Sequence, residues 1–209
     1  THEIMNSLTP VTSLSETLLA LPGAENEEMK QGLETIHTTG KGLINFVMSY
    51  RRLTRLPSPE PSLFYVLPFL ERMIKLAQHQ HPCPNITISI LHAPEDLIVF
   101  ADENLIAQVV TNLLKNAIQA IGSTPHGRIT LKAYCDEQES IRIEIANNGP
   151  AIPPDAAEQI FVPFFTTKDE GSGIGLSLSK QIMRLSGGTL TLLPYKEEGQ
   201  DTTFVLVFN

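Results

Sequence analysis

Apolar side chains recur at Ile4, Leu8, Val11, Leu14, Leu18 and Leu21, steps of four and three that predict a helix with one apolar seam. Pro22-Gly23 is its expected stop. A second run, Met29, Leu33, Ile36, Gly40, Leu43, Val47 and Tyr50, keeps the same alternation, which suits a helix packed lengthwise on others. The short loop between them sets the two helices antiparallel. Each helix covers only part of its neighbour's stripe, so two hairpins joined as a four-helix dimer are expected.

Pro57, Pro59 and Pro61 interrupt any helix and mark a linker over 54–61 between a first domain, 1–53, and a second, 62–209. Beyond it the periods mix. Phe64 to Gln80 predicts a helix ending before Pro82 and Pro84, and Ile86, Ile88 and Ile90 alternate with Thr87 and Ser89 as a half-buried strand. A short strand over 97–100 leads to Asp102, which caps a long helix through Ile121. Strands follow over 128–134, 141–146, 188–193 and 203–208, the last two after a helix over 174–185. That unequal order predicts an α+β chain: a helical hairpin followed by a two-layer α/β sandwich with one helical layer on a mixed sheet.

Composition narrows the function classes. The 209 residues are 42% hydrophobic, enough to bury a core. No apolar run reaches the length of a membrane span, and the first residues do not read as a signal peptide. A net charge of −8 argues against nucleic acid as partner, since phosphate neutralisation needs clustered Lys and Arg. Cys83 and Cys135 stand far apart without partner spacing, which argues against a zinc site or disulfide framework and fits a reducing compartment.

The chemistry concentrates in three stretches. Gly171-Ser172-Gly173-Ile174-Gly175-Leu176 is a glycine turn opening a helix, which aims unpaired amides and the positive end of a dipole at an anion. On the helix after Asp102, Gln108, Asn112, Asn116 and Gln119 form an uncharged polar stripe. Solvated faces favour Lys and Glu over two asparagines, and an Asn oxygen can complete the all-oxygen shell of Mg²⁺. At 147–154 a strand ends in a turn rich in Gly and Pro, where Asn147 offers an acceptor to an adenine amino group. Downstream, Ile160 to Lys168 passes from apolar and aromatic to polar: either a buried strand, or the base of a lid with Phe164 docked and Lys168 meeting phosphates.

Taken together in this order, Asn112 to Ala117, Asn147 to Ile152, Phe161 to Lys168 and Gly171 to Leu176 strongly resemble the asparagine, first glycine, phenylalanine and second glycine boxes of bacterial sensor histidine kinases. The short lid resembles their nitrogen-regulatory subgroup. The N-terminal Thr1-His2-Glu3-Ile4-Met5-Asn6-Ser7-Leu8-Thr9-Pro10 resembles the family's histidine box. The resemblance implies phosphotransfer helices over 1–53 and a catalytic ATP-binding domain of Bergerat (GHKL) fold over 62–209.

It implies His2 as phosphoacceptor, Glu3 as the group holding or removing its second proton, and Asn6 orienting water for the reverse reaction. ATP and Mg²⁺ are the implied cofactors, with Asn116 the metal ligand. The implied nucleotide set is Asn112, Asn116, Gln119, Asn147, Gly149, Ile152, Phe164, Lys168, Gly171, Gly173, Ile174, Gly175, Leu176 and Thr203. The implied partners are a second copy of the chain and a response-regulator receiver domain whose aspartate takes the phosphoryl group. The implied setting is the cytoplasmic part of an inner-membrane-anchored protein. The chain departs from the pattern at Asn147, where the family usually carries Asp, at Ala151, where it carries Gly, and at Ser7, where Pro is common. Asn147 is expected to read adenine more weakly, Ala151 to tighten a loop that needs φ > 0, and Ser7 to straighten its helix. Two rival readings are an ATP hydrolase of the wider fold, disfavoured because Asn112 stands where such enzymes place a Glu, and a degenerate kinase acting as a dimeric scaffold.

Overall fold

A computed structural model describes residues 2–20, 27–168, 172–194 and 201–209; for 2–7, 28, 49 and 52 it describes the backbone alone. The chain divides into two compact units, Thr1–Leu56 with Lys168–Ser172, and Pro57–Thr167 with Gly173–Asn209.

The first unit is built on α1 (His2–Leu19) and α2 (Glu27–Thr54). The expected Pro22-Gly23 stop lies outside the described residues. Pro10 sits inside α1, where it removes one backbone donor, so the helix still carries a proline interruption although Ser7 is not one. The two helices meet through small and polar groups. Thr12 and Ser15 are buried, the His37 Nδ1 lies 3.2 Å from the Thr12 carbonyl and 3.5 Å from the Ser15 hydroxyl, and a Cβ on Gly40 would overlap the Thr12 methyl. Much of the apolar seam stays in solvent, including Val11, Leu14, Ile36, Leu43 and Phe46.

The second unit is a five-stranded mixed sheet with helices on one face. Its strands are β2 (Ile86–His92), β4 (Gly127–Cys135), β5 (Ile141–Asn147), β6 (Thr189–Leu192) and β7 (Thr202–Phe208), in the order β2-β4-β5-β7-β6. Only β2 and β4 run parallel. The helices are α3 (Val66–Gln80), α4 (Glu103–Ile121), the short α5 (Pro154–Ala157) and α6 (Gly175–Leu185). Ile129, Leu131, Ile143, Ile145, Phe204 and Leu206 point from the sheet into a core completed by Phe69, Leu70, Ile106, Leu113, Ile182 and Met183. Asp102 caps α4 by accepting from the amides of Asn104 and Leu105, and it also accepts the Glu60 amide at 2.9 Å, which ties the linker's end to this helix.

A separate antiparallel pair, β1 (Ser62–Tyr65) and β3 (Ile98–Ala101), precedes α3 and α4. The helix expected over 64–80 takes in the end of β1, because Phe64 and Phe69 fit either period, and of α5 only Pro154 falls in the expected 147–154 turn. The stretch over 160–168 is turns and irregular backbone, so of its two readings the buried strand does not form.

Candidate functional site

The polar stripe of α4 lies where its spacing places it. Asn112 and Asn116 are half-buried, Gln108 and Gln119 exposed, and Val109, Val110, Leu113, Leu114, Ala117 and Ile121 fill the rest of the helix with buried surface. Asn112 Nδ2 donates to the Ser179 hydroxyl on α6 at 3.0 Å, and the backbone of Gly175 passes so close to Asn112 Oδ1 that a Cβ there would overlap it. Gly175 is the first residue of α6 and has no left-handed backbone; its task is to let α4 and α6 approach. Ile174, the residue before the helix, supplies no side-chain cap, so the amides of Gly175, Leu176 and Ser177 have no acceptor among the described residues. Such a helix start attracts a phosphate.

Asn147 ends β5 on the helix-bearing face of the sheet, in phase with Ile143 and Ile145, and is buried. Its Oδ1 accepts the Gly149 amide at 3.1 Å and its Nδ2 donates to the Thr202 carbonyl at 3.3 Å. The oxygen keeps a second lone pair. Gly149 lies against α4: a Cβ would stand 3.1 Å from both the Ala120 carbonyl carbon and the Ile121 nitrogen. Asn148 fastens this turn to the start of β4, its Oδ1 accepting the Arg128 amide at 2.7 Å and its Nδ2 donating to the His126 carbonyl at 3.0 Å. Ala151 is not left-handed, so the departure there does not strain the loop.

Phe164 holds φ +69°, Gly173 φ +65°, and the Phe164 amide donates to the Gly173 carbonyl at 2.9 Å. Phe161 packs edge-on against Phe204 of β7, with the Lys180 ammonium of α6 4.7 Å from its ring centroid. Phe164, Thr166 and Lys168 are exposed, Ile152 half-buried.

Several expected positions resolve differently. Thr203 pairs with Ala146 and faces the opposite side of the sheet, where it lines a polar cavity of about 390 Å³ with Arg128, Lys132 and Glu144. Strand alternation therefore puts it on the face away from Asn147. Thr202, the register partner of Asn147, shares that residue's face, and the apolar alternation of Phe204, Leu206 and Phe208 is the sequence signal that puts Thr202 inside. Ile174 is a core residue at 3% exposure. Gly171 lies outside the described residues. His2, Glu3 and Asn6 fall in the first turns of α1, described by backbone alone. Ser179 and Asn148 went unread; Ser179 stands four residues after Gly175, on the same helix face.

A profile of the family described as histidine kinase-, DNA gyrase B-, and HSP90-like ATPase matches residues 101–209. The nitrogen regulation protein NtrY of Azorhizobium caulinodans is 28% identical over 200 residues, 91% of this chain and 25% of NtrY. The chain thus spans about a quarter of that relative. Among solved structures, the nucleotide-free catalytic domain of the histidine kinase ThkA superposes with a TM-score of 0.61 at 31% identity, covering 71% of this chain and 95% of that domain. ThkA in complex with the response regulator TrrA matches 99% of this chain and 58% of ThkA, with a TM-score of 0.68 at 27% identity.

Proposed function

Since the chain belongs to the family of histidine kinase-, DNA gyrase B- and HSP90-like ATPases, we propose that it is the kinase core of a two-component sensor, which phosphorylates His2 from Mg-ATP and passes the phosphoryl group to an aspartate of a response regulator. The observation that supports this most is the meeting of Asn112, Gly175 and Ser179 where α4 abuts the uncapped start of α6. Around that point one pocket wall offers amides to phosphate, while Asn147 at the other end offers an acceptor to adenine.

Each group has a task its chemistry suits. The free amides of α6 bind phosphate oxygens, and Lys168 adds charge from the lid. Asn116 is the oxygen donor for Mg²⁺. A neutral amide oxygen without a cluster of three acidic, His or Cys side chains among the described residues suits a cation that completes its shell from phosphates and waters. When bound, that ion neutralises phosphate charge and polarises the terminal phosphoryl group. His2 attacks the γ-phosphorus through one imidazole nitrogen as the bond to the bridging oxygen breaks and ADP leaves, while Glu3 accepts the proton on the other nitrogen, and Asn6, one turn on, positions water for hydrolysis of a phosphorylated partner. Catalysis is then positioning and charge neutralisation, as phosphoryl transfer requires.

Direct ATP hydrolysis is the weaker reading, because the Asn112 amide has no basicity and is held by Ser179. The partner reading rests on ThkA, a related kinase seen with a response regulator. The exposed seam of α1 and α2 supports a homodimer through residues 1–53. No helix among the described residues is long and apolar enough to cross a membrane; the reading places this segment on the cytoplasmic side of an anchored protein. Incubation with γ-labelled ATP and Mg²⁺ tests it. Acid-labile, base-stable label should enter the parent and not the His2→Gln variant; equal incorporation removes the phosphoacceptor, and absence of Mg-ATP binding by calorimetry favours a scaffold.

A further inference from the structure

The β1–β3 pair has no part in the nucleotide site, yet it carries the most exposed apolar group in the second unit. Leu63, Tyr65, Ile98 and Phe100 are 71%, 54%, 37% and 64% exposed, whereas Phe64, Val99 and Ala101 between them are buried. The register pairs Leu63 with Phe100 and Tyr65 with Ile98, so the four side chains form one contiguous face.

The hydrogen-bond phase of the ladder adds a second feature. Val66 donates to the Leu97 carbonyl at 2.9 Å, which makes Val66/Leu97 a bonded pair, and by alternation Phe64/Val99 and Ser62/Ala101 as well. Leu63, Tyr65, Ile98 and Phe100 are then the non-bonded positions, whose N–H and C=O groups point away from the pair. The outward groups of Ile98 and Phe100 meet no partner among the described residues, whereas Tyr65 is the N-cap of α3, where its carbonyl serves the helix. The exposed side chains and the unpaired backbone thus belong to the same residues. On β1 that edge is blunted, because Pro61 stands at the next outward position and offers no donor. β3, reading Ile98-Val99-Phe100-Ala101, has neither proline nor charge.

We propose that the outer edge of β3 is a docking site for an extended segment of a partner protein, apolar at alternate positions and flanked by Lys or Arg. Main-chain pairing to Ile98 and Phe100 would add a third strand, with the apolar residues of the segment packing across Ile98 and Phe100. Charge decides against a second copy as occupant. Antiparallel self-pairing through these outward groups sets Ile98 opposite Phe100, which brings Glu95 and Asp96 of one copy to Asp102 and Glu103 of the other. Arg72 is paired with Glu103, and among the described residues no ion pair neutralises Glu95, Asp96 or Asp102. Glu95 and Asp96 are exposed and form no ion pair among the described residues, so they remain to meet cations.

The test uses the full chain and a fluorescein-labelled peptide, Lys-Lys-Val-Thr-Val-Thr-Val-Lys-Lys, followed by fluorescence anisotropy and amide hydrogen exchange. Binding should weaken as salt rises, slow exchange at the Ile98 and Phe100 amides, and fall at least about tenfold when alternate peptide nitrogens are methylated, since that removes only main-chain donors. Phe100→Asp should abolish it without shifting the melting temperature. Ile98→Pro, which deletes one outward amide and no ladder bond, should weaken it. No binding, equal binding of the methylated peptide, or equal binding of a peptide with Glu for Lys would overturn the proposal. So would sedimentation showing that Phe100→Asp dissolves a dimer, which would make a second copy the occupant.

Discussion

The amide of Phe164 donates to the carbonyl of Gly173 at 2.9 Å, and both residues hold a left-handed backbone, so one bond joins two positions where a side chain is costly. A Cβ on Gly173 would overlap the Phe164 backbone, which cannot yield as a side chain would. Gly173→Ala should therefore break this bond. Strain at such a position costs about 1–3 kcal/mol. Because the core of the second unit is elsewhere, the melting temperature should fall by only a few degrees while Kd for Mg-ATP rises about tenfold or more. Fluorescent-nucleotide titration beside thermal melting checks this; unchanged affinity would detach the bond from nucleotide binding.

The fold was legible wherever one period dominated. Asp102 capping a helix to Ile121 and the strands over 86–92, 127–135 and 141–147 follow from alternation and capping chemistry that local sequence carries. β1 was not legible, because four residues leading directly into a helix leave no room for a period to show. The same limit explains Thr203. The resemblance implies Thr203, but which of two adjacent threonines shares the face of Asn147 is decided by register with that residue, a long-range pairing. Ser179 was hidden for a related reason: a small polar residue in a helix gains meaning only when Asn112 of another helix reaches it.

Asn147 illustrates how one side chain can serve fold and ligand oppositely. Its Nδ2 donates to the Thr202 carbonyl, a bond a carboxylate cannot make. Asn147→Asp turns that donor into an anionic oxygen facing a carbonyl, and loss of a buried bond of this kind costs about 1–3 kcal/mol. The same charge strengthens acceptance from an adenine amino group. The variant should melt several degrees lower yet bind Mg-ATP more tightly. Both quantities moving the same way would mean that Asn147 does not read adenine.

Asp102 should set part of the acid stability. Its carboxyl is held below the ordinary carboxylate value chiefly by the Glu60 amide, then by the Leu105 and Asn104 amides, against opposition from burial. A depressed folded-state pKa means that its contribution is present above the unfolded value, about pH 4, and is lost as pH falls through the folded one. Denaturant midpoints should therefore drop in that acid window for the parent and drop less for Asp102→Asn, which keeps an acceptor but not the titration. Asp102→Ala should lose about 1 kcal/mol or more at neutral pH from the cap alone. Parallel pH curves for parent and Asp102→Asn would show that this carboxylate is not the titrating group.

In the helical hairpin the approach of α1 to α2 depends on Gly40, because a Cβ there would overlap the Thr12 methyl. Thr12 cannot turn aside freely, since its hydroxyl is within hydrogen-bonding reach of the Leu8 and Thr9 carbonyls, at 3.1 and 3.0 Å. Gly40→Ala must therefore separate the helices or give up those contacts, a penalty of about 1–3 kcal/mol by the usual cost of overpacking. Separation would also lengthen the approach of His37 to the Thr12 carbonyl, now 3.2 Å. Thr12→Ser deletes the methyl and keeps the hydroxyl, so Gly40→Ala with Thr12→Ser should regain most of the loss. Amide hydrogen exchange in α1 and α2, faster in the single variant and slowed again in the double, is the expected record. A double variant no more protected than the single would show that the two residues do not meet.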